Sequence, residues 1–172
     1  VADATDAIAA IDLRTGDLRW RFAARHAGPL HVRRAGRLLL VASTDPGIRA
    51  GAARLAARLL DHPAAVLAPG APVPDAPLLV VGLARDVDAL LAGAGLPGRP
   101  PDLPRAGSAQ VWAAATGTGR PLAVVSLEAA DALAPLLRPL PHYGRESSLV
   151  FDAATVLRRG RWPGTPLRIP LA

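Results

Sequence analysis

Two uninterrupted apolar runs of strand length, residues 37–43 (Arg-Leu-Leu-Leu-Val-Ala-Ser) and 78–83 (Leu-Leu-Val-Val-Gly-Leu), constrain this chain more than any other feature. A strand with one wet face alternates apolar and polar residues, so a strand without alternation must be covered on both faces. Each run leads into a helical pattern. Asp45-Pro46 supplies an N-cap and a proline suited to the first helical position. Ile48, Ala52, Leu55, Ala56 and Leu59 then recur on one face, with Arg54 and Arg58 opposite. That helix ends before His62-Pro63. Residues 64–68 read as a short strand. Residues 86–94 read as a second helix, with Asp86 and Asp88 complementing its N-terminal dipole and Gly95 at its end. The proline-rich stretch 96–104 reads as a surface loop.

The remaining patterns are hairpins and one doubtful helix. Residues 8–22 hold two alternating runs around Arg14-Thr15-Gly16-Asp17, which predicts a β-hairpin. Residues 108–115 and 121–126 make a second hairpin around Thr116-Gly-Thr-Gly-Arg120. Ser126 is suited to cap a third helix with Leu127, Ala130, Leu133, Ala134 and Leu137 inward, which Pro135 would kink or split. Residues 149–152 and 155–159 close a last hairpin, followed by an extended, proline-rich tail. Strands alternating with helices predict an α/β layered domain, with a mixed β-sheet, helices packed on it and β-hairpins near both ends. The expected division is an N-terminal hairpin and linker over 1–34 and a single α/β domain over 35–172. With aromatics at 3%, its core has to be built from Ala, Leu and Val.

Composition narrows the chemistry mainly by exclusion. All 20 basic residues are arginine and the net charge is +6, but the arginines are spread over nearly every segment. Arginine supply of this kind fits a GC-rich bacterial genome, and charge without clustering or stacking aromatics is a weak nucleic-acid signal. The absence of cysteine excludes disulfides and thiol catalysis. No run reaches the roughly 18 apolar residues of a membrane span. The only glutamates are Glu128 and Glu146 and neither lies between histidines, so there is no H-E-x-x-H. A phosphate loop of the Gly-x-x-x-x-Gly-Lys type is impossible without lysine. His26 and His31 share a Gly-Pro loop but lack a complementary ligand set, so neither a metal nor another cofactor is expected.

One polar cluster remains: His142, Tyr143, Arg145, Glu146, Ser147 and Ser148. As a ligand-binding site, His142, Tyr143, Arg145, Glu146 and Ser147 would bring an acid/base group, hydroxyls, a cation and a carboxylate to a loop leading into a strand. As structure, Pro141 and Gly144 would shape a helix-to-strand turn, Gly144 with positive φ, while Tyr143 packs. No orienting group or oxyanion hole is identifiable. The structural role is therefore preferred and no catalytic residue is assigned.

Two stretches resemble known families. Asp12, Thr15, Gly16 and Trp20 are similar to one repeat of the quinoprotein-type β-propellers, without recurrence elsewhere. The sequence Leu-Pro-His-Tyr-Gly-Arg-x-Ser-x-Leu-Val-Phe-Asp at 140–152, with Arg-Gly-x-Trp-Pro at 159–163 and a weaker extension over 107–126, resembles the C-terminal accessory region of bacterial zinc aminopeptidase-like (gluzincin, aminopeptidase N-like) proteins. That resemblance implies a non-catalytic accessory or interaction domain of a larger, exported or membrane-associated protein, periplasmic or membrane-bound, with other domains of the same or a larger polypeptide as partners. The competing readings are a small α/β enzyme or ligand-binding domain with its pocket at 141–148, and a carbohydrate- or envelope-associated regulatory module. Binding to duplex or single-stranded nucleic acid should be weak and fall steeply as salt rises. Filter binding at physiological salt checks this, and submicromolar, salt-resistant affinity would contradict it.

Overall fold

The computed structural model describes residues 7–11, 18–23, 38–59, 65–67, 72–73, 76–144 and 146–161. The chain divides into two compact units, Val1–Arg25 with Pro163–Ala172, and His26–Trp162. In the first, β1 (Ala7–Ile11) and β2 (Leu18–Ala23) pair antiparallel as the expected hairpin, with a register shift at Ala10/Ile11. Its turn (Arg14 to Asp17), the His26 and His31 loop, the end of the first helix at His62-Pro63, Arg145 and the tail from Trp162 lie outside the described residues.

The second unit is the layered α/β domain. Its elements are β3 (Leu38–Ala42), α1 (Pro46–Leu59), β4 (Ala65–Leu67), β5 (Leu78–Leu83), α2 (Ala84–Gly93), β6 (Ala109–Ala115), β7 (Pro121–Leu127), α3 (Leu133–Leu136), β8 (Ser148–Asp152) and β9 (Thr155–Gly160). The strands form one mixed sheet in the order β4-β3-β5-β7-β6-β8-β9. β4, β3, β5 and β7 run parallel, whereas β6, β8 and β9 add in antiparallel fashion.

Alternation along the strands sends successive side chains to opposite faces. On one face Leu79, Val81, Ala123, Val125 and Leu127 pack against Ile48, Ala52, Leu55, Ala56 and Leu59 of α1, with Leu133, Leu136 and Leu140. On the other, Leu78, Val80, Leu122, Val124 and Trp112 pack against Val87 and Leu91 of α2 and Leu103 of the segment after it. All seven residues of β7 are buried. This double coverage is what the continuous run at 78–83 demanded, and of the 37–43 run Val41 packs on the first face and Ala42 on the second. Asp45 caps α1 as expected, its Oδ1 accepting from Ile48 N at 2.8 Å. Gly51 lets α1 approach Leu133 closely, since a Cβ there would collide with the leucine side chain.

Four expectations fail for physical reasons. Ser126 does not cap a helix: β7 runs through it to Leu127, and its buried hydroxyl accepts a hydrogen bond from Arg99. The helix expected after it shrinks to 3-10 turns at Ala130–Ala132 and Leu140–Tyr143 around the four residues of α3, which contain Pro135. Gly144 has φ −67° and ψ 0°, a conformation open to any residue. The segment 96–104 is also more than a surface loop, because Leu103 is 4% exposed and belongs to the core.

Positive φ is needed instead at Gly107, where φ is +67° and a Cβ would run into the Phe151 carbonyl oxygen. Ser108 follows directly. Its N–H donates to Phe151 O at 2.8 Å, and its Oγ accepts from Ala153 N at 2.8 Å in the β8–β9 turn, where Ala153 itself has φ 48°. Gly107→Ala should therefore cost at least about 1–3 kcal/mol from backbone strain alone. Gly117→Ala, which meets nothing within 4 Å, should stay within about 0.5 kcal/mol of the parent. Urea unfolding of the two variants checks the contrast.

Candidate functional site

Gln110 and Ser126 are directly paired across β6 and β7, and both are 0% exposed. Polar groups cannot be left unpartnered there without a cost of about 1–3 kcal/mol each. Arg99, from the segment between α2 and β6, reaches both: Nη1 donates to Gln110 Oε1 at 2.8 Å and Nη2 to Ser126 Oγ at 3.1 Å. Gln110 Nε2 donates in turn to Ala106 O at 2.8 Å. The guanidinium lies 5.1 Å from the centre of the fully buried Trp112 ring, a cation–π arrangement. Burial lowers its pKa from the usual value, and the nearby Asp88 carboxylate opposes that shift; a guanidinium nevertheless stays charged at any physiological pH. Arg99 thus ties residues 96–106 down as a strap across one sheet face, helped by the buried Leu103 and by an ion pair from Arg105 to Asp88 of α2.

Beside the strap, at the carboxyl ends of β5 and β7, lies a cleft of about 440 Å³. It is lined by Leu83, Ala84 and Arg85 at the β5–α2 junction, by Arg105, and by residues 128–130 beyond β7. Leu83 is the N-cap of α2 and offers no side-chain bond to the first turn. The charges on the rim largely pair off: Arg85 sits 3.4 Å from Asp86 and Arg105 meets Asp88. The lining holds no hydroxyl, thiol or imidazole side chain. Such a cleft can hold a small polar molecule, and the one carboxylate in its lining is that of Glu128.

None of the residues of the 141–148 stretch lines this cleft, and Ser147 lies toward the opposite end of β6. Ser147 O accepts from Ala113 N at 2.9 Å, far along β6 from Ala109, the residue that pairs with Leu127 near the cleft. His142 is exposed, and its backbone N donates to Pro139 O. Tyr143 is half-buried and meets Phe151 edge to face, ring centres 5.9 Å apart. Glu146 is bonded by Arg161 through Nε at 3.1 Å and Nη2 at 3.2 Å; that bond and the carboxylate's charge raise the Arg161 pKa. Ser147 is 5% exposed, with its N–H donating to Gly160 O. The placement of Arg145 is outside the described residues. Among the described residues no group of three or more His, Asp or Glu gathers as a metal site, and no helix is long and apolar enough to cross a membrane. No family model, curated protein or solved structure matches the chain.

Arg99, Gln110 and Ser126 escaped the sequence reading, although Gln110, the only glutamine of the chain and set in an apolar strand, was the available signal. Arg99→Met should strand two buried acceptors and cost about 2–5 kcal/mol. In an Arg99→Met/Ser126→Ala double variant the costs should be clearly less than additive, because the second change removes a group already orphaned. Chemical denaturation of the full cycle checks the coupling; strict additivity would mean that the strap is not held through Ser126.

Proposed function

We propose that the 26–162 unit is a non-catalytic accessory or interaction domain of a larger bacterial protein, peptidase-like in the sense of the resemblance at 140–152. One observation carries the reading: Tyr143, Glu146 and Ser147 of the polar 141–148 stretch are engaged within the fold. Tyr143 packs on Phe151, Glu146 is held by Arg161, and the backbone of buried Ser147 bridges β6 and β9. A catalytic dyad needs a nucleophile and a base within hydrogen-bond reach, and Ser147 is bonded into the sheet while His142 faces solvent. A second reading, a ligand-binding domain with its pocket at the cleft beyond β5 and β7 and not at 141–148, is favoured by the place of that cleft, since open α/β sheets hold ligands outside the carboxyl ends of their strands.

The reading predicts no hydrolysis of aminoacyl or peptidyl reporter substrates above buffer, with or without added zinc. It also predicts that Tyr143→Ala destabilises by about 2–3 kcal/mol, below the range for a fully buried ring, while His142→Ala stays within about 0.5 kcal/mol. Turnover that disappears in His142→Ala without a change in melting temperature would overturn it.

A further inference from the structure

The two exposed large hydrophobic side chains among the described residues, Val66 at 54% and Leu157 at 56%, stand on the two edge strands of the sheet, β4 and β9. β4 has three residues, too short a ladder to hold a partner strand. β9 has six and is paired along β8 alone within the sheet. The carbonyl of Gly160 turns toward β8, accepting from Ser147 N. Alternation therefore turns the N–H and C=O of Arg159 outward, where an added strand would meet them. Arg158 and Arg159 are exposed, and among the described residues no ion pair engages either. Of the acidic groups close by, Glu146 is taken by Arg161, and Asp152 lies at the far end of the hairpin, paired in register with Thr155.

We propose that β9 is a docking edge for an extended, acidic segment of a partner polypeptide, which would add to the sheet as a further strand. Its backbone would pair with β9, its carboxylates would meet Arg158 and Arg159, and an apolar side chain would cover Leu157. The same residues argue against a second copy of this chain as the occupant. Two β9 strands side by side would set arginine against arginine, and like charges facing each other across strands destabilise pairing. The register shift opposite Val150/Phe151 twists the edge and discourages indiscriminate pairing further. This inference rests on reading the domain as an interaction module and names the surface it would use.

The test uses the full chain and two short synthetic peptides, one with adjacent Glu-Glu pairs set among Val and Thr so that each face of the added strand carries a carboxylate, the other with Lys in place of Glu. The Glu peptide should bind and the Lys peptide should not, and the Glu peptide should slow hydrogen exchange at the β9 amides, Arg159 first. R158E/R159E should weaken the Glu peptide roughly tenfold or more, equivalent to about 1.4 kcal/mol, and shift preference toward the Lys peptide. Arg159→Gln, which leaves the edge intact, should give a smaller loss in the same direction. Binding of the Glu peptide with no protection on β9 would overturn the docking edge while leaving the interaction reading in place. So would β9 protection that appears without peptide and grows with protein concentration, which would make a second copy the occupant. Failure of both peptides to bind would overturn the edge as well, and cleavage of a bound peptide would overturn the interaction reading instead.

Discussion

Gln110 and Ser126 face each other across β6 and β7 where the sheet is covered on both sides, and a single guanidinium answers them. The rest of that face follows from this requirement. For Arg99 to reach the pair, the segment after α2 has to lie down across the sheet, which brings Leu103 into the core and Arg105 to Asp88. The strap then forms one wall of the cleft beyond β5 and β7. Replacing such a network by apolar residues is often tolerated energetically, whereas removing one member is not. Its effect here is to fix where the strap runs, and so to set the shape of the groove beside it.

The opposite face is organised without polar groups. α1 lies on it through a small-residue surface, Gly51, Ala52 and Ala56, and Leu133 fits against Gly51. In a chain with so few aromatics, the two fully buried rings among the described side chains, Trp112 and Phe151, lie on opposite faces and supply bulk that Ala, Leu and Val cannot. Tyr143 reaches the Phe151 side and closes the turn before β8. Of the polar residues around Tyr143, Glu146 and Ser147 are bonded within the fold and His142 faces solvent, and adjacency alone does not make a site.

The parts of this fold legible in the sequence are those set by local rules. The continuous runs at 37–43 and 78–83, the Asp45-Pro46 start of α1 and the Gly95 stop of α2, where φ is +63°, each follow from residues that are neighbours. What was not legible depended on contacts far apart in the chain. Ser126 has the chemistry of a cap, and its pairing with Gln110 on one side and Gly82 on the other keeps it in a strand. α2 begins at Ala84, directly off β5 and two residues before the expected start, because Leu83 gives no capping signal. Gly107 and Gly144 both sit at turns, and the Phe151 carbonyl, more than forty residues away in the chain, decides which of them must be glycine. The cleft was invisible for a similar reason, since its walls come from three separate segments.

The order of the strands also bears on how the chain assembles. β7 has a near partner, β6, joined to it by the short turn at Thr116 to Arg120, and a distant partner, β5, separated from it by α2 and the whole strap. Contacts close in sequence form early because little chain entropy is lost in closing them, and remote parallel pairings form late. The β6–β7 hairpin is thus the natural seed, carrying Gln110 and Ser126 before Arg99 has arrived. Docking of β5 and closure of the strap would then be one cooperative event, with the guanidinium arriving last at groups already waiting for it.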